Sequence, residues 1–230
     1  MQAPCGKISR LDKKRAANKK TLNLRTDNIY DIVRFLVFDN CRQQNFDNGQ
    51  VPRNRKRNIH PADDIGSINN MHIWRLDNWE KILPKDGSGR TGLRFRCDKN
   101  VDPEVKRACL QFGKWLRAEY YFPVRIVVYV KEAERIRAKD GDHVVGTFFE
   151  PYSYYDEPYI RIATGDYEEL LSKNGKDNAL ASILISLAHE LTHYYQWINN
   201  LQLTSMGRER QASRYARYII DEYATTREHP

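Results

Sequence analysis

Between Asp177 and Ile198 the sequence reads DNALASILISLAHELTHYYQWI, a helix that keeps almost no polar side. Leu180, Leu184, Leu187, Leu191 and Ile198 form one stripe at helical spacing, and Ile185, His189, His193 and Trp197 form a second on another side. A helix apolar nearly all round belongs at the centre of its domain, with other elements covering it. Two histidines buried there need partners, because unpaired buried polar groups are costly. His189 and His193 are four residues apart, so both imidazoles project from one face and can meet on one metal ion. Glu190 stands beside them, where a carboxylate can reach a metal-bound water without filling the coordination shell. The alternative is a pair of core histidines satisfied by ordinary hydrogen bonds.

A zinc site of this type takes a third protein ligand and leaves a fourth position for water. Downstream of the motif the chain offers Glu209, Asp221, Glu222, Glu228 and His229. At about 100° per residue along a last helix expected over Gly207 to Thr226, Ala212, Ala216, Ile220 and Tyr223 fall on the side of Glu209. The small Ala212 and Ala216 allow a close approach to the motif helix, whereas Glu222 faces away. Glu209 is the expected ligand; the alternative is a solvated charge near a helix start.

Other elements read more plainly. Residues 102 to 122 predict a helix with Asp102 as N-cap and Pro103 at its first position, ended by Pro123. VRIVVYV (124 to 130) is β-branched and near-continuously apolar, which predicts a strand buried on both faces. HVVGTFFE (143 to 150) and PYIRIAT (158 to 164) are expected neighbouring strands, and LRFRC before them is another. Asp177 is the expected cap of the motif helix. MHIWRLDNWEKILP (71 to 84) carries enough large apolar side chains to dock on something, and the turn chemistry of KDGSGRTG suggests a domain boundary near residue 90.

The expected architecture is therefore α+β: a basic, partly irregular N-terminal region over residues 1–90, with a helix at 27–41, and a C-terminal domain over residues 91–230. Charge divides the same way. Residues 1 to 100 hold 21 Lys and Arg against 11 Asp and Glu, while residues 101 to 230 hold 17 against 19. Lys13, Lys14, Arg15, Lys19, Lys20 and then Arg53, Arg55, Lys56, Arg57 are the densest basic clusters. They suit phosphate contact with nucleic acid, or else a solvated tail and loop. Cys5, Cys41, Cys97 and Cys109 show no metal-ligand spacing and read as ordinary thiols. With no apolar leader and no long apolar span, a cytoplasmic protein without membrane contact is expected.

HELTH followed by ERQASRYARYII resembles the zinc metallopeptidases of the gluzincin group, especially the ImmA/IrrE-like type. Their third-ligand helix reads Glu-x-x-Ala-x-x-aromatic-Ala-x-x-aliphatic-aliphatic, here Glu209, Ala212, Tyr215, Ala216, Ile219 and Ile220. The resemblance covers roughly residues 103 to 226. It implies a zincin-like domain, with a small mixed sheet packed on the motif helix and a ligand helix after it. It further implies Zn²⁺ held by His189, His193 and Glu209, Glu190 as the catalytic general base, and Gly146 and Thr147 on or near an edge strand that binds extended substrate. SprT-like peptidases share the two-histidine motif but take a third histidine downstream. The implied activity is hydrolysis of peptide bonds in a protein or peptide substrate. Among the 14 tyrosines, Tyr152, Tyr154, Tyr155, Tyr194, Tyr195 and Tyr223 are open candidates for oxyanion donor. The alternative function is a non-catalytic zincin-like module in a nucleic-acid-binding regulatory protein.

Overall fold

A four-stranded mixed sheet with helices packed on one face organises the chain, as seen in a computed structural model. The structure describes residues 72–83, 85, 89–138 and 141–226. The expected helix at 27–41, both basic clusters, Cys5, Cys41, Glu228 and His229 lie outside the described residues. After a 3₁₀ turn at Ile73–Arg75 come α1 (Trp79–Ile82), β1 (Leu93–Cys97), α2 (Pro103–Glu119), β2 (Ile126–Lys131), β3 (Ile136–Arg137), β4 (His143–Val144), β5 (Gly146–Phe149), β6 (Tyr159–Ala163), α3 (Tyr167–Asn174), α4 (Lys176–Ile198) and α5 (Ser205–Thr226). The sheet order is β1-β2-β6-β5, with β1, β2 and β6 parallel and β5 antiparallel at the edge. A separate two-stranded ribbon joins β3 and β4. No helix among the described residues is long and apolar enough to cross a membrane.

α2 begins as its sequence predicts: the Asp102 carboxylate accepts from the backbone N–H groups of Glu104 (2.7 Å) and Val105 (3.3 Å), and Pro103 occupies the first turn. It ends at Glu119, ahead of Pro123. α4 is the central helix. Every residue from Leu187 to Asn199 except His189 is buried, and α4 contacts β5, β6, α2, α3 and α5. Burying one large aliphatic side chain is worth about 1.5–3 kcal/mol. Leu184, Leu187, Leu191 and Ile198 therefore offset the cost of holding polar groups in the same helix.

Three expectations need correction. α4 is capped by Gly175, not Asp177, which lies inside the first turn. Gly175 also closes α3, a helix not anticipated from the sequence, by donating to the Leu171 carbonyl at φ +76°, a conformation that favours glycine. β2 is not buried on both faces. Ile126, Val128 and Val130 are fully buried on the helix side, while Tyr129 and Lys131 on the other are partly exposed. HVVGTFFE is not one strand: it breaks at Val145, with β4 in the ribbon and β5 in the main sheet.

The described part of the 71–84 segment, residues 72–83, does dock. Trp74 is buried, stacks on Tyr195 at 4.7 Å and donates its indole N–H to Thr192 Oγ1 at 3.2 Å. The Ile73 N–H reaches the Tyr215 hydroxyl at 3.3 Å. Residues on both sides of position 90 thus pack together against α4 and α5.

Candidate metal centre

α4 and α5 lie side by side because small and apolar residues face across the contact. Ala212, Ala216 and Ile219 are almost fully buried, and Ile220 and Tyr223 nearly so. Glu209 stands one turn before Ala212, near the start of α5. This seam carries its carboxylate to the two histidines. His189 Nε2 lies 3.2 Å from Glu209 Oε2, His193 Nε2 lies 3.3 Å from Glu209 Oε1, and the two Nε2 atoms are 3.2 Å apart. Ligand atoms bonded at about 2.1 Å around a tetrahedral ion stand about 3.4 Å apart. These residues therefore fit a metal ion of that size, and the His189, His193 and Glu209 group could hold one.

The electrostatics suit the same conclusion. Burial alone would push the Glu209 carboxyl up, but hydrogen bonds from His189 and His193 outweigh it and hold the group well below the usual carboxylate range. Burial would likewise lower the His193 imidazole, yet the Glu209 hydrogen bond and the charges of Glu190 and Glu209 raise it. Two neighbouring imidazoles and a carboxylate, all converging on one point, form a donor set that binds borderline metals such as zinc.

A scan against protein-family models, a search of curated proteins and a search of solved structures find no match to this chain.

Glu190 sits on the neighbouring side of α4 and is buried. Burial pushes its carboxyl above the ordinary range, opposed by the positive charge of His189 and His193 and by a hydrogen bond from the Phe148 backbone N–H. It is pressed against the edge strand. A Cβ on Gly146 would lie 2.9 Å from Glu190 Oε1 and 3.0 Å from its Cγ, so the missing side chain makes room for the carboxylate. Thr147 is placed differently: it pairs with Arg161, and its side chain shares the sheet face turned away from α4. Only its backbone belongs to the edge.

Gln196 was not singled out from the sequence, yet it ties the site together. Its Nε2 donates to the Arg208 carbonyl and to Gln211 Oε1, both at 3.0 Å. A carbonyl only accepts, so this contact fixes which end of the amide faces α5. Oε1 must then face His193 Nδ1, at 2.8 Å, and that nitrogen must carry the proton. His193 Nε2 is thereby the nitrogen that faces Glu209 and His189 and that can give up its proton to bind a metal. Its sequence signal was position: a buried amide one turn beyond the second histidine. Gln196→Leu is expected to weaken metal affinity about 10- to 100-fold. Competition with a chromophoric chelator measures it, and an unchanged affinity would show that the amide does not support the ligand.

The six tyrosine candidates separate. Tyr194 bonds the Val124 carbonyl (2.8 Å), Tyr195 bonds the Tyr121 carbonyl (2.9 Å), and Tyr223 packs against Phe112 and Trp115. These three serve the core. Tyr154 lies on the Trp197 ring, and Tyr152 and Tyr155 are exposed. Glu222, turned from the site as expected, accepts from Tyr120 and faces Arg75.

Proposed function

We propose that this chain is a zinc-dependent metallopeptidase with a zincin-like domain, in which His189, His193 and Glu209 hold the ion and Glu190 is the general base. The observation that carries the reading is the convergence of the two imidazole Nε2 atoms and the two Glu209 carboxylate oxygens, in contacts of 3.2–3.3 Å, beside a second, buried carboxylate, Glu190, that is held apart from them. Bound zinc would supply Lewis acidity toward a carbonyl and toward its water. The chain's own residues do the rest. Among the described residues no strand pairs with the outer edge of β5, along which an extended peptide can add as a further strand. Glu190, between that edge and the ligand histidines, accepts the water proton at its carboxylate and returns it to the leaving amine. Its raised proton affinity favours the first of these transfers. The substrate is a protein or peptide, read along the β5 edge.

The test is metal content. Full-length protein purified without chelator is expected to carry one zinc per chain by elemental analysis, and His193→Ala and Glu209→Ala are each expected to lose it or bind it markedly more weakly. A wild-type protein that takes up no zinc on reconstitution would return His189 and His193 to the status of core residues. The alternative reading, a non-catalytic module in a nucleic-acid-binding regulator, rests on basic clusters outside the described residues.

A further inference from the structure

The face of the sheet turned away from α4 has a composition of its own. Side chains alternate along each strand, and cross-strand partners share a face, so the register identifies every residue on it. One row across the sheet is Arg94, Val127, Tyr159 and Phe149; the next is Arg96, Tyr129, Arg161 and Thr147; Lys131 begins a third. The opposite face, with Val128, Ile160 and Phe148, is the one that meets α4, Phe148 packing toward Trp197. Four cations and three aromatic rings therefore lie on the outer face, and no strand residue on it is a carboxylate. Arg94 and Arg96 are exposed, while Tyr129, Lys131, Tyr159, Arg161 and Phe149 are partly exposed. Asp98, beyond the end of β1, pairs with Lys131 at one margin, and Glu157, two residues before Tyr159, pairs with Arg90 and Arg125 at the other.

General basicity does not account for this pattern, since residues 91–230, which contain every strand of the sheet, hold 20 Lys and Arg against 20 Asp and Glu. The rings are also placed in order. Phe149 and Tyr159 stack at 4.6 Å with planes 8° apart, and Tyr129 meets Tyr159 edge-on at 6.0 Å. The Arg96 guanidinium and the Lys131 ammonium each lie within 6 Å of the Tyr129 ring centre, at 5.9 and 5.8 Å. A cluster of rings edged by cations matches a polyanion that carries planar groups at regular intervals.

We infer that the outer face of this sheet binds single-stranded nucleic acid, with bases packed against the Tyr129 and Tyr159 rings and phosphates paired with Arg94 and Arg96. Duplex is the poorer partner, because its bases are already stacked and cannot reach the rings. The site is independent of the metal centre, which lies across the sheet on α4 and α5.

The experiment uses full-length, metal-free protein and a fluorescently labelled poly(rU) or poly(dT) oligonucleotide, followed by anisotropy at several salt concentrations. Binding is expected to be salt-sensitive and tighter for the single strand than for a duplex of the same length. The double variant Arg94→Glu/Arg96→Glu, on exposed positions, is expected to lower affinity at least tenfold and to reduce the salt slope. Tyr129→Leu is expected to weaken binding while leaving that slope unchanged, and ultraviolet crosslinks are expected to map to Tyr129 or Tyr159. Absence of binding at low salt overturns the inference, as does equal affinity for duplex. So does binding that both variants leave intact, which would place the contact on the N-terminal basic clusters. None of these outcomes bears on zinc content, so failure here is distinguishable from failure of the peptidase reading.

Discussion

Glu190→Gln is expected to remove peptide hydrolysis and leave the metal in place. Glutamine has the same shape, and its Oε1 can still accept the Phe148 N–H, so the packing against Gly146 survives. What it lacks is the capacity to take a proton, and general acid–base catalysis of this kind is worth about 10²–10⁴ in rate. Stability should not suffer. A buried carboxyl whose proton affinity is raised in the folded state is destabilising once pH climbs above its folded value, and the neutral amide removes that cost. At neutral pH the variant is therefore expected to melt at the same temperature as wild type or higher. Mass-spectrometric detection of chelator-sensitive cleavage in a mixed peptide pool, with zinc measured in parallel, checks all three points. Undiminished cleavage would exclude Glu190 as the base, and loss of zinc would make it a ligand instead.

Ala212→Leu is expected to damage the site from behind. Ala212 has no solvent exposure, lies one turn from Glu209 and faces the seam with α4. A leucine there overpacks a filled contact, at about 1–3 kcal/mol, and pushes α5 outward. Metal bonds tolerate displacements of only about 0.2 Å, so a small shift of Glu209 is felt strongly. The expected result is a lowered melting temperature together with zinc affinity reduced at least tenfold. The same substitution at Ala224, exposed on α5, is expected to change neither. Equal effects at both positions would show that helix propensity, rather than the seam, is responsible.

Local chemistry was legible in the sequence wherever one short stretch contained both cause and consequence. The Asp102-Pro103 start of α2 depends only on its own first turn. The pairing of His189 with His193 depends only on helical pitch, and the phase of Glu209 with Ala212 and Ala216 depends on the same period. α3 escaped notice because Tyr167 is its single buried residue, leaving no apolar period to see. Its stop signal was present all the same, in Gly175.

The apolar run of β2 misled for a related reason: Val127 looks the same in sequence whether its face meets a helix or flanks a row of arginines. Composition carries no information about which side of a strand is covered. The break at Val145, the burial of Trp74 against Tyr195 and the choice of Gly146 as the residue that clears space for Glu190 were equally silent. The sequence by itself determined which residues could bind a metal and which helix must be central, because both follow from periodicity within one element. Only the tertiary structure decided that Gln196 reaches from His193 to the Arg208 carbonyl, and that two imidazoles on one helix and a carboxylate on the next come into contacts of 3.2–3.3 Å. Those depend on how far apart two helices pack, a distance set by every side chain in the seam at once.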